Sequence, residues 1–336
     1  MQRKSIPLLA AFGALALVLA GCSGGGGAGQ AEGATTLRLA LNQSEDHPSY
    51  VALENFSTRL RESTDGRWNL DVYANENLGA QQEALQLTSD GTVDMAIVSG
   101  AQLENLDHDF VVFNLPHVFD SIEHQMRVIN DESITGELFS SLEDRNLTVL
   151  GGFTQGSRHV YSPHGPVTEP ADLAGMKIRV QESELHAEMI ERMGGSATPM
   201  SYGEVYTALQ SGVLDGAENN EVSYVSQNHH EVAGHFSTTN HLIGLDYLVM
   251  NTGVLATMST QDRDALDREW ATAMAEHTAL WRTATEEAIA EAQADGARFH
   301  EVDPEPFRRA VEPLTEQALT SDLARRVYDA TRAAAR

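Results

Sequence analysis

The chain has 336 residues, of which 41% are apolar, and this is enough for two domains with cores of their own. Its 22 basic and 49 acidic residues give a formal net charge of −27, and no basic cluster offsets it. Such a surface repels nucleic acid and anionic lipid headgroups, so neither is an expected partner. The single cysteine, Cys22, excludes an intramolecular disulfide. If the ligand is an anion, local arginines must overcome this field, helped by salt screening beyond about 8 Å.

The N-terminal sequence predicts export. Two basic residues precede an apolar run, Leu8–Ala20, which is too short to span a bilayer but typical of a signal peptide. The Leu-Ala-Gly sequence before Cys22 resembles a bacterial lipobox, in which cleavage precedes the cysteine and a lipid is attached to its thiol. We therefore predict a lipoprotein signal peptide over residues 1–21 and a lipid-anchored flexible linker over residues 22–34. The protein is expected on the outer face of the cell membrane.

Beyond the linker, short apolar runs alternate with amphipathic stretches, which is typical of an α/β fold. The predicted strands are Leu37–Leu41, Trp68–Tyr73, Val93–Val98, Leu147–Phe153 and Met176–Val180. Helices are predicted over Ser49–Arg61, with Val51, Leu53, Phe56 and Leu60 facing inward, and over Gln81–Leu87.

Two capping signals mark later helices. Ser201 and Glu204 form a capping-box pattern that places Tyr202 on the first turn of a short helix. A second signal at Ser259 begins a helical pattern that ends near Gly296, roughly 50 Å long at 1.5 Å per residue. That length exceeds one small domain, so this helix is expected to bridge two. Its apolar stripe consists of Leu266, Trp270, Met274, His277, Trp281 and Ala288.

Two arginines are candidates for binding an anion. Arg179 interrupts an otherwise apolar strand, and ligands of open α/β sheets bind beyond the carboxyl ends of strands. Its planar guanidinium can hold a carboxylate through two charge-assisted hydrogen bonds. Arg158 follows a strand at a plausible crossover between domains. Its position alone is equally compatible with an ordinary salt bridge.

A metal-dependent hydrolase is the alternative from another functional class. It would use the histidine-rich segment 229–241, which contains His230, Glu231 and His235. These histidines are five residues apart, or about 140° around a helix, whereas zinc hydrolases space them four apart on one face. No nucleophile elbow, phosphate-binding glycine loop or paired-cysteine metal site occurs in the sequence. We therefore predict no catalytic residue, no metal and no cofactor.

The most specific signal is a set of motifs in the second half of the chain. They read PADLAGMKIRV at 170–180, TPM at 198–200, GEVYTALQ at 203–210 and DGAEN at 215–219. Together they resemble the DctP-type solute-binding proteins of TRAP transporters, and the likeness covers essentially the whole mature chain.

The resemblance implies a two-lobed fold like that of periplasmic binding proteins, a Venus flytrap with hinge strands and a long bridging helix. Lobe I would comprise residues 35–155 plus 246–284, and lobe II would comprise residues 156–245 plus 285–336. The lobes would close on an organic acid.

The resemblance also implies roles for five residues. Arg179 holds the position of the arginine that forms the main salt bridge to the ligand carboxylate, and Arg158 that of an arginine supplying further hydrogen bonds. Asn219 would orient the carboxylate, and Tyr202 would form an apolar wall. Asn42 matches a polar, ligand-facing position in the opposite lobe.

Three features depart from the family pattern. Ser99 replaces a ligand-facing glutamate found in some members, and the family's frequent phenylalanine is tyrosine at position 202. The loop after the first strand is unusually polar, with Glu45 and His47. It is either a solvated turn or a lining of the cleft. In the second case, both residues could bind hydroxyls and would favour a polyhydroxy acid over a plain dicarboxylate.

We predict an extracytoplasmic receptor that binds a carboxylated small molecule and delivers it to a TRAP-type integral membrane permease. The RHVY run from Arg158 and the Asn219–Asn220 pair resemble the branch of the family that binds uronic acids, so a sugar acid such as a uronate is the expected ligand. The alternatives are a receptor for a C4-dicarboxylate or another organic acid, and an ABC-type binding protein of similar architecture.

Overall fold

The structure is a computed structural model that describes residues 33–335. The predicted signal peptide, the lipid attachment at Cys22 and nearly all of the linker lie outside this range. The described strands are β1 Thr35–Ala40, β2 Trp68–Tyr73, β3 Met95–Ser99, β4 Leu147–Ser162, β5 Lys177–Val180, β6 Ser196–Pro199, β7 Gly216–Asn219, β8 His235–Asn251 and β9 Arg298–His300.

The α-helices of the described range surround these strands. They are α1 Pro48–Ser63, α2 Gln81–Ser89, α3 Gly100–Glu104, α4 Ile122–Ile129, α5 Glu132–Ser140, α6 Glu184–Arg192, α7 Val205–Gln210, α8 Glu221–Ser226, α9 His229–Val232, α10 Thr252–Thr257, α11 Thr260–Ala294, α12 Glu305–Val311, α13 Leu314–Ala318 and α14 Asp322–Ala333. None of these helices is both long and apolar enough to cross a membrane.

The five strands and two helices predicted first along the chain are all present, with ends shifted by a few residues except at β4, which continues nine residues further. Helix α1 buries Leu53, Phe56 and Leu60 as expected. Val51 was expected on the same inward face but is 37% exposed. It lies two residues from Leu53 in sequence, about 200° around the helix, so both cannot face one core.

All strands join one sheet, in which two parallel groups flank a central antiparallel pair. One group has the order β2-β1-β3, and the other has the order β7-β5-β6. Strands β8 and β4 lie between the groups and pair with each other along most of their length. The carboxyl ends of parallel strands lie at the same edge of their sheet. The two groups are the sheets of lobe I and lobe II, and their carboxyl edges flank one cleft.

Strands β4 and β8 connect the two lobes, so the predicted lobe boundaries at 155/156 and 245/246 fall inside continuous strands. Their pairing breaks register in three places, and the break between Thr154 and Ser157 coincides with that boundary. Gly156 lies there with φ 64°, and a Cβ at this position would come within 2.5 Å of the indole nitrogen of Trp281. Only glycine fits this left-handed position against helix α11.

Helix α11 bridges the lobes as predicted, and every residue of the predicted apolar stripe is buried. Its first half contributes Leu266, Trp270 and Met274 to the core of lobe I, beneath α1 and β1. Its second half contributes Ala288 and Ala292 to the core of lobe II. Ser259 caps its start by accepting a hydrogen bond from the Asp262 amide, as the sequence signal indicated.

The C-terminal segment differs from the predicted lobe II assignment of residues 285–336. Helices α12 and α13 do pack on α6 of lobe II, but α14 crosses back to lobe I. There the Thr331 carbonyl accepts from His124 Nε2 at 2.9 Å, and Arg332 pairs with Asp120 at 2.8 Å. The α14 pattern predicts an amphipathic helix but carries no information about which lobe covers its apolar face.

Candidate ligand-binding site

A cavity lies between the lobes at the carboxyl edges of both strand groups, and its empty space, including the part open to solvent, is about 440 Å³. Lobe I contributes Asn42, Gln43, Glu76, Gln81, Ser99 and Gln102. The remainder of the lining is Gln155, Arg179, Gln181, Glu182, Ser201, Tyr202, Asn219 and Ser223. No aliphatic side chain lines this cavity, which therefore suits a highly polar solute.

Arg179 is the cation of the cavity. It lies on β5 and is 4% exposed, and its Nε and Nη2 both donate to the Met200 carbonyl at 2.9 and 2.7 Å. No carboxylate of the described residues pairs with it, and its Nη1 donates to no protein acceptor in that range. Burial lowers the pKa of Arg179, but an arginine stays protonated in proteins. A buried cation without a counter-charge is costly, so Arg179 is a candidate for binding an anion.

Arg158 does not line the cavity, although the resemblance implied that it contacts the ligand. It is 1% exposed and uses all five of its N–H donors within the protein. Two go to the Glu218 carboxylate at 2.6 and 2.7 Å and one to the Glu218 carbonyl. The others hold Gln155 Oε1 at 2.7 Å and Asn219 Oδ1 at 2.9 Å. Arg158 thus fixes two lining residues and leaves no donor for a ligand.

Strand pairing explains this placement. Strand β4 pairs with β7 so that Val160 lies opposite Glu218, two residues from Arg158. Burial opposes ionisation of Glu218, but the charge of Arg158 and hydrogen bonds from His241 and Arg158 lower its pKa well below the usual range. Both members of the pair are therefore charged, and their charges compensate each other. Arg179 lies beside the cavity without a salt bridge to the described residues, although its charge also acts on the Glu76 carboxylate of the lining.

Asn219 presents its amide nitrogen to the cavity. Its Oδ1 accepts from Arg158 at 2.9 Å and from the backbone and side-chain nitrogens of Asn220 at 3.0 and 3.1 Å. Three donors on one oxygen fix the orientation of the amide and leave its N–H groups free of protein acceptors in the described range. Asn219 and Arg179 therefore place hydrogen-bond donors on the same wall, which suits a carboxylate.

Tyr202 forms part of the same wall and is 7% exposed. Its hydroxyl donates to the Ser223 carbonyl at 3.0 Å, and burial raises its pKa to about 12, so the ring is neutral and anchored at its far end. The predicted capping box is only partly formed, because Ser201 Oγ bonds the Glu204 carboxylate at 2.7 Å instead of a backbone amide. Tyr202 accordingly starts a short 3₁₀ turn, and α7 begins at Val205.

The lobe I wall carries acceptors that lack partners. Asn42 Oδ1, Gln43 Oε1 and Glu76 Oε1 are buried without a hydrogen bond to the protein. Asn42 was predicted here, whereas Gln43 and Glu76 were not. A signal existed for both, since Gln43 follows the end of β1 and Glu76 follows the end of the parallel neighbour β2. The carboxyl ends of such strands are where ligands bind.

Ser99 lies in the cavity at the end of β3, as predicted. Its backbone amide donates to Gln81 Oε1 at 2.9 Å, which positions a second glutamine of the lining. The short side chain of Ser99 leaves room for a ligand on this side and adds no negative charge.

Glu45 and His47 lie outside the cavity. Glu45 is exposed, and His47 is 1% exposed within the protein. His47 caps α1, with Nδ1 accepting from the Ser49 amide at 3.1 Å, and its ring packs edge-on against Trp281 with the ring centres 5.6 Å apart. The loop thus divides: Gln43 at its start lines the cavity, whereas Glu45 lies on a solvated turn and His47 caps α1, which begins at Pro48.

Comparisons with known proteins place the chain in a family. The family described as "Bacterial extracellular solute-binding protein, family 7", DctP, matches residues 39–322. A solute-binding protein of Chromohalobacter salexigens is 37% identical over 273 residues, which is 81% of each chain. This chain belongs to the DctP family. DctP proteins are solute-binding receptors of TRAP transporters and act in the periplasm.

Solved DctP structures have the same two-lobed fold. A TRAP periplasmic solute-binding protein of Anaerococcus prevotii, solved with bound α/β-D-glucuronate, superimposes with a TM-score of 0.87 at 35% identity, covering 89% of this chain and 98% of that one. A counterpart from Xanthobacter autotrophicus, with bound β-D-galacturonate, gives a TM-score of 0.85 at 27% identity, covering 88% and 99%.

The histidine-rich segment considered for metal binding is engaged elsewhere. His229 Nδ1 bonds the Tyr161 hydroxyl at 2.7 Å, and His235 contacts His300 at 3.1 Å. Residues 33–335 contain no group of three or more histidine, cysteine, aspartate or glutamate side chains arranged to hold a metal ion.

Proposed function

We propose that this DctP protein is the receptor of a TRAP transporter for a hexuronate such as D-glucuronate or D-galacturonate. The observation that carries the proposal is Arg179, a buried cation without a salt bridge to the described residues, at a cavity between two lobes that no aliphatic side chain of those residues lines. The similar proteins of known structure, bound to D-glucuronate and β-D-galacturonate, support the same ligand class.

In this proposal the carboxylate binds to lobe II. Arg179 offers the N–H groups of Nη1, and Asn219 adds an N–H from the adjacent strand. The sugar ring would lie along the face of Tyr202, since the hydroxyl of that residue is tied to Ser223 and its ring is free to pack. Asn42 and Ser99 would meet the far end of the ligand from lobe I.

A C4-dicarboxylate fits this cavity less well. Its second carboxylate would enter a cavity whose lining already carries the carboxylates of Glu76 and Glu182, while its first carboxylate occupies Arg179. Like charges in a closed site repel each other strongly, because water cannot screen them. Ring hydroxyls can instead donate to the unpartnered acceptors of that wall.

Binding would drive closure of the lobes about β4 and β8, and the closed form would then dock on the integral membrane permease. We also propose that Cys22 carries the lipid that keeps the receptor near that permease. Replacement of Cys22 by alanine should then release the protein from the membrane fraction, and retention of the variant would contradict the anchor.

A binding screen tests the ligand class. The purified protein is titrated calorimetrically with D-glucuronate, D-galacturonate and succinate, and melting temperatures are recorded in parallel. A hexuronate at 100 times its Kd should stabilise the protein by about 2.7 kcal/mol, and succinate should have little effect. Succinate binding in preference to both hexuronates would instead support the dicarboxylate alternative.

A further inference from the structure

Glu76 lies in the cavity in an unusual backbone conformation. Asn75 and Glu76 have φ values of 55° and 56°, in the left-handed region that residues with side chains rarely adopt. Their amides donate to the carbonyls of Gln43 and Leu41 at 2.9 and 3.2 Å, which ties this turn to the end of β1. Strain of this kind persists where the surrounding structure enforces it, often at binding sites.

The two oxygens of the Glu76 carboxylate have different surroundings. Its Oε1 is buried and has no hydrogen-bond partner within the protein. Its Oε2 approaches lobe II so closely that a Cβ added to Gly203 would lie 2.5 Å from it. Only a glycine at position 203 permits this approach across the cleft. Glu182, the other carboxylate of the lining, differs because its Oε2 already accepts from Gln102 at 3.4 Å.

We infer that Glu76 is the residue that determines specificity in this cavity: its Oε1 accepts a hydroxyl of the sugar ring, and its charge excludes a second carboxylate. This inference rests on the proposed function, because it needs a ligand whose carboxylate is held at Arg179. Glu76 is a better acceptor than Asn42 or Gln43, since a carboxylate forms stronger hydrogen bonds than an amide. The other oxygen of the same carboxylate contacts Gly203 of lobe II.

The test compares Glu76→Gln with wild-type protein by calorimetric titration with D-glucuronate and with succinate. Glutamine has the same size and the same backbone requirement, so the turn should be kept. We expect about ten- to hundredfold weaker binding of D-glucuronate, because a charged hydrogen bond is replaced by a neutral one. Succinate should bind more tightly to the variant than to the wild type.

Glu45→Gln is the matched control. Glu45 is an exposed carboxylate of lobe I that lies outside the cavity lining, so this change removes the same charge from the same lobe without touching a lining residue. It should leave the affinity for D-glucuronate within about twofold, as expected of a screened surface charge. A Glu76→Gln protein that matches the control for both ligands would overturn the inference.

The outcomes separate this inference from the proposed function. If wild-type protein binds no hexuronate, the proposed ligand class is wrong and the role of Glu76 fails with it. If wild-type protein binds D-glucuronate and Glu76→Gln retains the full preference over succinate, only the role of Glu76 is wrong.

The contact with Gly203 gives a second, independent test. Gly203→Ala should weaken D-glucuronate binding, because the added methyl group displaces the Glu76 carboxylate. In a Glu76→Ala background the same change should have little further effect, since nothing remains to be displaced. Equal effects of Gly203→Ala in both backgrounds would contradict the contact.

Discussion

The two walls of the cavity are built differently. On lobe II each binding group has one end tied to the protein and the other free: Arg179 is held by Met200, Asn219 by Arg158 and Asn220, and Tyr202 by Ser223. On lobe I, the terminal oxygens of Asn42 and Gln43 and one oxygen of Glu76 have no partner in the protein.

This difference suggests that one lobe supplies affinity and the other supplies specificity. A preorganised wall loses little conformational entropy on binding, so lobe II can supply most of the affinity for a carboxylate. On lobe I, Asn42, Gln43 and Glu76 each keep a buried oxygen without a partner in the described protein, and a ligand that fails to satisfy these oxygens leaves them unpaired. We therefore expect lobe II to determine whether an acid binds and lobe I to determine which acid.

The largest expected effect comes from removing the cation of lobe II. Arg179→Ala should weaken D-glucuronate binding by about a thousandfold, because the ligand carboxylate is then buried without a partner. Arg179→Lys should also bind poorly, since an ammonium lacks the planar fork that lets Arg179 hold the Met200 carbonyl on one edge and grip a carboxylate on another. Both are measured by calorimetric titration.

A stability measurement serves as the control for Arg179. The unliganded Arg179→Ala protein should unfold at the same urea concentration as the wild type or a higher one, because an unpaired buried charge has been removed. A large loss of stability together with the loss of binding would indicate a structural role, and near-normal binding would contradict the assignment altogether.

The next largest effect concerns the buried ion pair of Arg158 and Glu218, which lies behind the lobe II wall. Glu218→Gln leaves Arg158 buried without a counter-charge and should lower the free energy of unfolding by about 3–5 kcal/mol, measured by urea denaturation. The double variant Glu218→Gln with Arg158→Gln should recover much of that loss. If the double variant is as unstable as the single one, the charge on Arg158 is not the cause.

How far the sequence predicts these walls depends on the kind of information each needs. Arg179 was singled out by its place in a predicted strand, whereas the roles of Asn219, Tyr202, Asn42 and Ser99 came from the resemblance to DctP proteins. All five line the cavity. The α/β pattern and the long helix were predicted from the residues themselves, because hydrophobic periodicity is a local property.

Long-range pairing accounts for what the sequence did not predict. Arg158 turns away from the ligand because β4 pairs with β7 and brings Glu218 beside it. Glu76 enters the cavity through two left-handed residues, and non-glycine residues give little warning of that conformation. His47 was assigned to a ligand because a polar loop does not reveal which of its members caps the following helix.

A smaller effect is expected in the pH dependence of stability, and it comes from a histidine buried in lobe II. His186 is 2% exposed, and neither ring nitrogen has a hydrogen-bond partner in the protein. Burial lowers its pKa to about 3, with Glu218 acting in the opposite direction and Arg158 in the same one. Between pH 6.5 and 3 the unfolded chain thus binds a proton here that the folded chain does not. Stability must fall as the pH falls through that window, by up to about 1.4 kcal/mol per pH unit.

His186→Leu removes this contribution. Urea denaturation between pH 7 and pH 5 should give a shallower loss of stability for the variant, by about 1 kcal/mol per pH unit. At pH 7 the variant should be as stable as the wild type or more so, because two unsatisfied buried nitrogens are replaced by an apolar group. An unchanged slope would show that His186 is not buried in the neutral form.

The smallest expected effect comes from a hydrogen bond that joins the two lobes outside the cavity. Asn105 of lobe I donates from its exposed side chain to the Glu182 carbonyl of lobe II at 2.7 Å, across the mouth of the closed cleft. Asn105→Ala should weaken the affinity by about two- to tenfold, the value of one net hydrogen bond, and mainly through faster dissociation in stopped-flow measurements. Asn77→Ala, at another exposed position of lobe I, is the control.

Because Asn105 does not line the cavity, its loss should weaken the binding of every ligand by the same factor, whereas changes in the lobe I wall should alter the ranking of ligands. A change in ranking caused by Asn105→Ala would mean that closure itself, and not the lobe I wall, selects the acid.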